Sequence, residues 1–143
     1  MRHYHAGQSE VFRCKRGELT MTIGKETRKL RPGEEVVLAR GTLHSLVNEG
    51  DEEVHCEVEY RPAGKNEDWF KLLTGYAVKY GRDPGMLEIA PFILDVDIFI
   101  EGPPRWLQRV LFGLVLRPIA VVLGRRRAVL DAAEEVYGRP VVW

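Results

Sequence analysis

The sequence predicts a mainly β protein: a small antiparallel barrel or sandwich over residues 1–62, followed by an α-helical region over residues 63–143. Three observations carry this. Apolar and polar residues alternate through short runs, glycine- and proline-bearing turns punctuate those runs, and beyond Pro62 the apolar spacing lengthens to three and four residues.

Leu19, Met21 and Ile23 alternate with Glu18, Thr20 and Thr22, and Val54, Cys56, Val58 and Tyr60 alternate with Glu53, His55, Glu57 and Glu59. Period-two runs bury one face of a strand and leave the other in water. Turn signals fall at Arg16-Gly17, Gly24-Lys25, Pro32-Gly33, Arg40-Gly41 and Glu49-Gly50-Asp51, so the strands are short and joined tightly. Such spacing suits a sandwich or barrel.

From Asn66 the pattern is helical. Trp69, Leu72, Leu73, Tyr76 and Tyr80 share one face, Asn66 or Asp68 offers a cap, and Gly81 offers a stop. Arg82 to Gly85 reads as a turn, and Met86 to Ile100 reads as a helix interrupted by Pro91. Pro104 suits the start of another helix, running from Trp106 to Leu123 and broken or kinked at Arg117-Pro118. Ala128 to Tyr137 is a last short helix closed by Gly138. Arg105, Arg109 and Arg117 recur at multiples of four on a broadly apolar segment, with Arg125, Arg126 and Arg127 beyond. Packing against the barrel or a partner subunit is the first expectation for residues 105–127, and contact with a membrane interface the second.

Lys and Arg total 21 against 21 Asp and Glu, and this formal neutrality speaks against nucleic-acid binding driven by phosphate neutralisation. Apolar residues are scarce in the first thirty, so no signal peptide is read there and a cytoplasmic location is expected. Cys14 and Cys56 both occupy inward strand positions and read as small buried hydrophobes rather than a disulfide.

The chemistry concentrates in the first forty-eight residues. Successive strand side chains alternate faces, so His3 and His5 point the same way. Glu10 follows on a second strand after a short turn, and His44 arrives on a later strand just past Arg40-Gly41. Three imidazoles and one carboxylate converging from three strands form a ligand set for a divalent transition metal. A lone strand histidine is usually structural or merely exposed, so His55, on a polar face, is given no role.

His3, His5, Glu10 and Gly17 together resemble the first motif of the cupin superfamily. Gly33, Gly41, His44 and Asn48 resemble the second, with Ala39 standing where that motif has proline. The resemblance covers residues 1–62 and implies a cupin-type antiparallel β-barrel, a double-stranded β-helix or jelly roll. It also implies one or two strands ahead of the first histidine, which this sequence lacks. Either the natural protein is longer at its amino end, or another segment fills that place, or the open edge pairs with a second copy, in which case a homodimer is expected.

The metal could be iron, manganese, nickel, cobalt or zinc, held by neutral His3, His5 and His44 and an ionised Glu10, with one or two positions open. By strand parity Phe12, Cys14, Met21, Val36, Leu38, Leu46, Cys56 and Val58 face inward. They read either as a substrate pocket or as a plain hydrophobic core. As a pocket they suit a small neutral or aromatic molecule, since no fixed cation is among them. Cupins include dioxygenases, isomerases, decarboxylases, sugar binders and sensor domains, and fold alone does not choose among them. The first functional expectation is a mononuclear metal-dependent oxygenase or related enzyme. The second is a non-catalytic ligand-binding or sensor module whose helical tail docks a partner through Trp69, Phe70, Trp106, Phe112 and Val141-Val142-Trp143.

Overall fold

The computed structural model describes residues 1–141 and 143; Val142 of the expected docking surface lies outside them. Among the described residues the chain forms eight antiparallel strands and a set of helices, in two compact units. This is the β class with a helical continuation that the alternation foretells.

The first unit comprises Met1–Gly64 and Asp97–Gly102. Its strands are β1 (His3–His5), β2 (Ser9–Arg16), β3 (Leu19–Ile23), β4 (Glu26–Leu30), β5 (Glu35–Leu38), β6 (His44–Val47), β7 (His55–Arg61) and β8 (Ile98–Ile100). One sheet runs β4-β3-β6-β1-β8 and the other β5-β2-β7. Phe12, Cys14, Met21, Leu30, Val36 and Leu38 form the buried core, with Leu46, Cys56 and Val58 packed against it. Cys14 and Cys56 are register partners across β2 and β7, and both are free thiols.

The edge of β1 is covered from within the chain. β8 pairs with it in the register His3↔Ile100, Tyr4↔Phe99 and His5↔Ile98, and the rings of Tyr4 and Phe99 stack at 5.7 Å. The expected helix over residues 86–100 is therefore corrected. Only Met86–Ile89 is helical, turns follow, and β-branched Ile98 and Ile100 extend against β1. Asp97 makes the corner in a left-handed conformation (φ 56°), and its carboxylate accepts the Gly7 N–H.

The second unit comprises Lys65–Val96 and Pro103–Trp143. α1 (Asn66–Tyr80) ends at Gly81 in the left-handed conformation, as its sequence predicts. After α2 (Met86–Ile89), α3 (Arg105–Arg109) runs into a π-helix, Val110–Leu116, and then α4 (Arg117–Val122). Pro118 lacks the N–H that a regular turn would use, and the wider turns lie just before it. α5 (Arg125–Tyr137) begins earlier than expected, directly after Gly124. Helices α1 and α5 approach closely at Gly75, where an added Cβ would lie 2.5 Å from the Ala133 Cα.

Trp69 and Phe112 belong to this unit's core rather than to a docking surface, because their helical faces turn inward, whereas Phe70 and Trp106 are exposed. Only Gln108, Phe112 and Ala120 of residues 105–123 are buried, so most of this apolar segment faces outward. Among the described residues no single helix is long and apolar enough to cross a membrane; Arg105–Val122 and Arg125–Tyr137 reach that only as a pair bent by 72°.

Candidate metal centre

Each site residue is delivered by a local feature of the sequence. Strand parity puts His3 and His5 on one face of β1, and the antiparallel pairing sets His3 directly opposite His44 of β6. A tight turn, closed by the Thr42 N–H on the Ala39 carbonyl (3.1 Å), leads into β6. Gly41 takes a positive φ of 77° there, and its N–H donates to the His5 carbonyl at 2.7 Å. The turn that presents His44 is thus tied to the backbone that carries His5. Glu10 comes from β2 in the facing sheet, where its register partner is Tyr60 of β7.

The donor atoms of His3, His5 and His44 all lie within 4.8 Å of one another. Glu10 reaches across to two of them, Oε1 lying 3.5 Å from His5 Nε2 and Oε2 lying 3.2 Å from His44 Nε2. His5, Glu10 and His44 are almost fully buried, while His3 is half-buried at the margin.

Hydrogen bonds decide which nitrogen offers its lone pair. His44 Nδ1 lies 2.9 Å from the Thr42 carbonyl, which only accepts, so the proton sits on Nδ1 and Nε2 carries the lone pair. His3 Nδ1 stands in the same relation to the Met1 carbonyl at 3.2 Å. Backbone carbonyls on the far ring nitrogen are the usual support of metal-ligating histidines. His44 Nε2 makes no hydrogen bond although it faces the Glu10 carboxylate. Two lone-pair atoms at that separation repel each other unless a proton or a cation lies between them.

Burial sets the ionisation. It lowers the His3 pKa to about 4, with His44 adding to the effect, and it lowers that of His44 against the pull of the Thr42 carbonyl. Both rings are therefore neutral, as ligation requires. Burial raises the Glu10 carboxyl to about 7, against a stabilising hydrogen bond from Tyr60. Burial and the adjacent Glu10 hold the Tyr60 phenol protonated. Neutral imidazoles, an orphaned Nε2 and a buried carboxylate short of countercharge fit a divalent cation.

Residues 1–58 match the family model of the cupin domain. Over those residues the chain is of the cupin type. Among solved structures the chain resembles a sugar phosphate isomerase of the cupin superfamily from Silicibacter pomeroyi (27% identity, TM-score 0.39, covering 41% of this chain and 38% of that one). It also resembles a cupin-2 domain protein from Shewanella frigidimarina (28%, TM-score 0.37, 41% and 57%) and a cupin 2 conserved barrel protein from Salinispora arenicola (22%, TM-score 0.37, 39% and 49%). The matches span less than two thirds of each of those chains. No curated protein matches.

Within this cupin the eight inward residues fall in one cluster. Phe12, Cys14, Met21, Val36 and Leu38 are buried core, and Leu46, Cys56 and Val58 line its margin. The cluster reaches the histidines through Phe12, whose ring is 6.2 Å from that of His44. Asn48, a motif residue, works locally: its amide donates to the Glu52 carbonyl and accepts from the Gly50 N–H. His55 is exposed and pairs with Glu53 at 3.2 Å. Tyr60 is the site residue that sequence reasoning passed over. Its ring packs edge-on against His5 at 5.5 Å, and its parity with Cys56 and Val58 was the signal that it points inward.

Proposed function

We propose that this cupin holds one divalent metal ion on His3, His5 and His44, with Glu10 as a fourth ligand, and uses it in a reaction on a small neutral or aromatic organic molecule, an oxygenation being the first choice. The observation that carries the reading is the orphaned lone pair of His44 Nε2 at 3.2 Å from the Glu10 carboxylate, with Nδ1 already committed to the Thr42 carbonyl. A bound divalent ion would supply a Lewis-acid centre with open positions for water, dioxygen or a substrate oxygen. This chain's residues do the rest. The carbonyls of Met1 and Thr42 fix two imidazole tautomers, Tyr60 holds the Glu10 carboxylate, and Phe12 sets an apolar ring edge-on to His44.

Elemental analysis of protein purified without an affinity tag, beside the His44→Ala variant, tests this. Near-stoichiometric iron, manganese, nickel or cobalt that is lost in the variant supports it, and oxygen-uptake screens follow. Zinc keeps the site but turns the reading from redox chemistry. A site that stays empty and cannot be reloaded favours the non-catalytic ligand-binding module instead.

A further inference from the structure

The chain has two cysteines, and the fold sets them face to face: Cys14 and Cys56 are register partners on neighbouring antiparallel strands, β2 and β7. The backbone of Cys14 is committed on its other side, where its N–H donates to the Glu34 carbonyl at 3.2 Å and its carbonyl accepts from the Gly33 N–H at 3.0 Å. Both backbone groups of an antiparallel residue point the same way, so toward β7 Cys14 and Cys56 form a non-hydrogen-bonded pair, whose Cα atoms lie about 4.5 Å apart. A disulfide accepts Cα separations of about 4.4–6.8 Å. Both side chains turn to the inner face: Cys14 is 1% exposed, and half-buried Cys56 packs against the same cluster. The Cys56 thiol donates to Cys14, and the Cys14 thiol lies 3.4 Å from the Arg16 carbonyl. The register shift just past Cys14 bends β2 at this point. At Gly17 an added Cβ would lie 2.7 Å from the Glu53 carbonyl, so the end of β2 closes tightly on the chain entering β7.

We propose that Cys14 and Cys56 are a reversible disulfide site, oxidised by a small-molecule disulfide into a cross-strand bond that staples β2 to β7. Strand β7 is an outer strand of the sheet β5-β2-β7, and Cys56 is the less buried of the two sulfurs, so a reagent meets it first. The Cys56 thiolate attacks one sulfur of the reagent, whose other sulfur leaves as a thiol. The Cys14 thiolate then attacks the Cys56 sulfur and expels the second small thiol. The two cysteine sulfurs are oxidised, the two reagent sulfurs are reduced, and the two cysteine protons end on the released thiols. Burial, with Cys14 adding to it, pushes the Cys56 thiol up to about 11, so the reduced pair persists until the reagent is in excess. The bond would close the stretch that carries β3 to β6, His44 included, and would fix the register that sets Glu10 opposite Tyr60. The site stands whether or not the histidines hold a metal.

Incubation of the folded full chain with excess glutathione disulfide at mildly alkaline pH, followed by intact mass and peptide mapping, tests the proposal. We expect the mass to fall by two hydrogen atoms, the Cys14 and Cys56 peptides to be joined within one chain, and dithiothreitol to restore both thiols. The oxidised chain should unfold at a higher denaturant concentration than the reduced one, because the bond constrains the unfolded state. Cys14→Ala should retain a glutathione adduct on Cys56, whereas Cys56→Ala should leave the buried Cys14 unmodified. Two free thiols after prolonged treatment of the wild-type chain overturn the proposal, as does an adduct that stays on wild-type Cys56 or a bond between two chains. A bond that forms only in denaturant, or one that lowers the unfolding midpoint, also overturns it, because the folded strands then do not accommodate the disulfide.

Discussion

His3 and His44 oppose each other across the β1–β6 pair, their ring centroids 4.4 Å apart, and each ring is steadied from behind by a backbone carbonyl. Residue pairing in a sheet, rather than a mobile loop, sets their separation. Removing one of them should therefore empty the site without unfolding the barrel. His44→Ala is expected to lower metal affinity by at least about a hundredfold, since even indirect supports of metal ligands cost ten- to a hundredfold. His55→Ala should leave metal content unchanged, because His55 is exposed and engages Glu53. Titration with a competing chelator measures both.

Glu10 gives a pH dependence whose sign is fixed. In chelator-treated protein its folded pKa is raised to about 7, so its contribution to stability is full below the unfolded value near 4.5 and is lost as pH rises through about 7. His3 acts oppositely. Its folded pKa is lowered to about 4, so its contribution is full above 6.5 and is lost as pH falls through about 4. Glu10→Gln removes only the first of these. The Tm of the metal-free variant relative to wild type should rise between pH 5 and pH 7.5, and a difference independent of pH would show that Glu10 is not held protonated.

Met21 distinguishes a packed core from an open pocket. Its side chain is 0% exposed and belongs to the cluster formed with Phe12 and Leu30. Met21→Ala should cost about 2–5 kcal/mol of unfolding free energy in denaturant titrations, the range for emptying a packed core position. A cost well below that would identify the position as pocket lining.

Gly75 should resist substitution. An alanine Cβ there would come within 2.5 Å of the Ala133 Cα and 2.9 Å of its nitrogen, so α1 and α5 would have to move apart. A loss of about 1–3 kcal/mol is expected, visible as a lower Tm.

The features legible in the sequence were those set by short-range rules. Alternation located the strands, and parity put His3 and His5 on one face with Cys14, Met21 and Val58 turned inward. The second histidine-bearing strand was legible from the Arg40-Gly41 turn. What escaped was long-range. Nothing local to Ile98-Phe99-Ile100 says that it will pair with β1 rather than continue a helix, because the choice is made by an unsatisfied sheet edge more than ninety residues away. Tyr60 was missed as a site residue because its role depends on lying across from Glu10 in the β2–β7 register, and a single-strand pattern does not contain that pairing. The outward turn of Leu114 and Val122 escaped for a different reason: apolar composition predicts burial in protein, and these side chains are left facing away from it.

The interrupted order of the barrel bears on how such a chain can be recombined. The strand bearing His3 and His5 is flanked on one side by β6 and on the other by β8, and β8 is encoded after α1 and α2. A crossover at residue 64 would therefore deliver a histidine strand stripped of one neighbour, and the transferred piece would carry a raw hydrogen-bonding edge beside His3 and His5. The two units can diverge in sequence, but no single cut exchanges one without taking part of the other. Gene fusions that preserve the histidine cluster should keep residues 1–102 contiguous, intervening helices included.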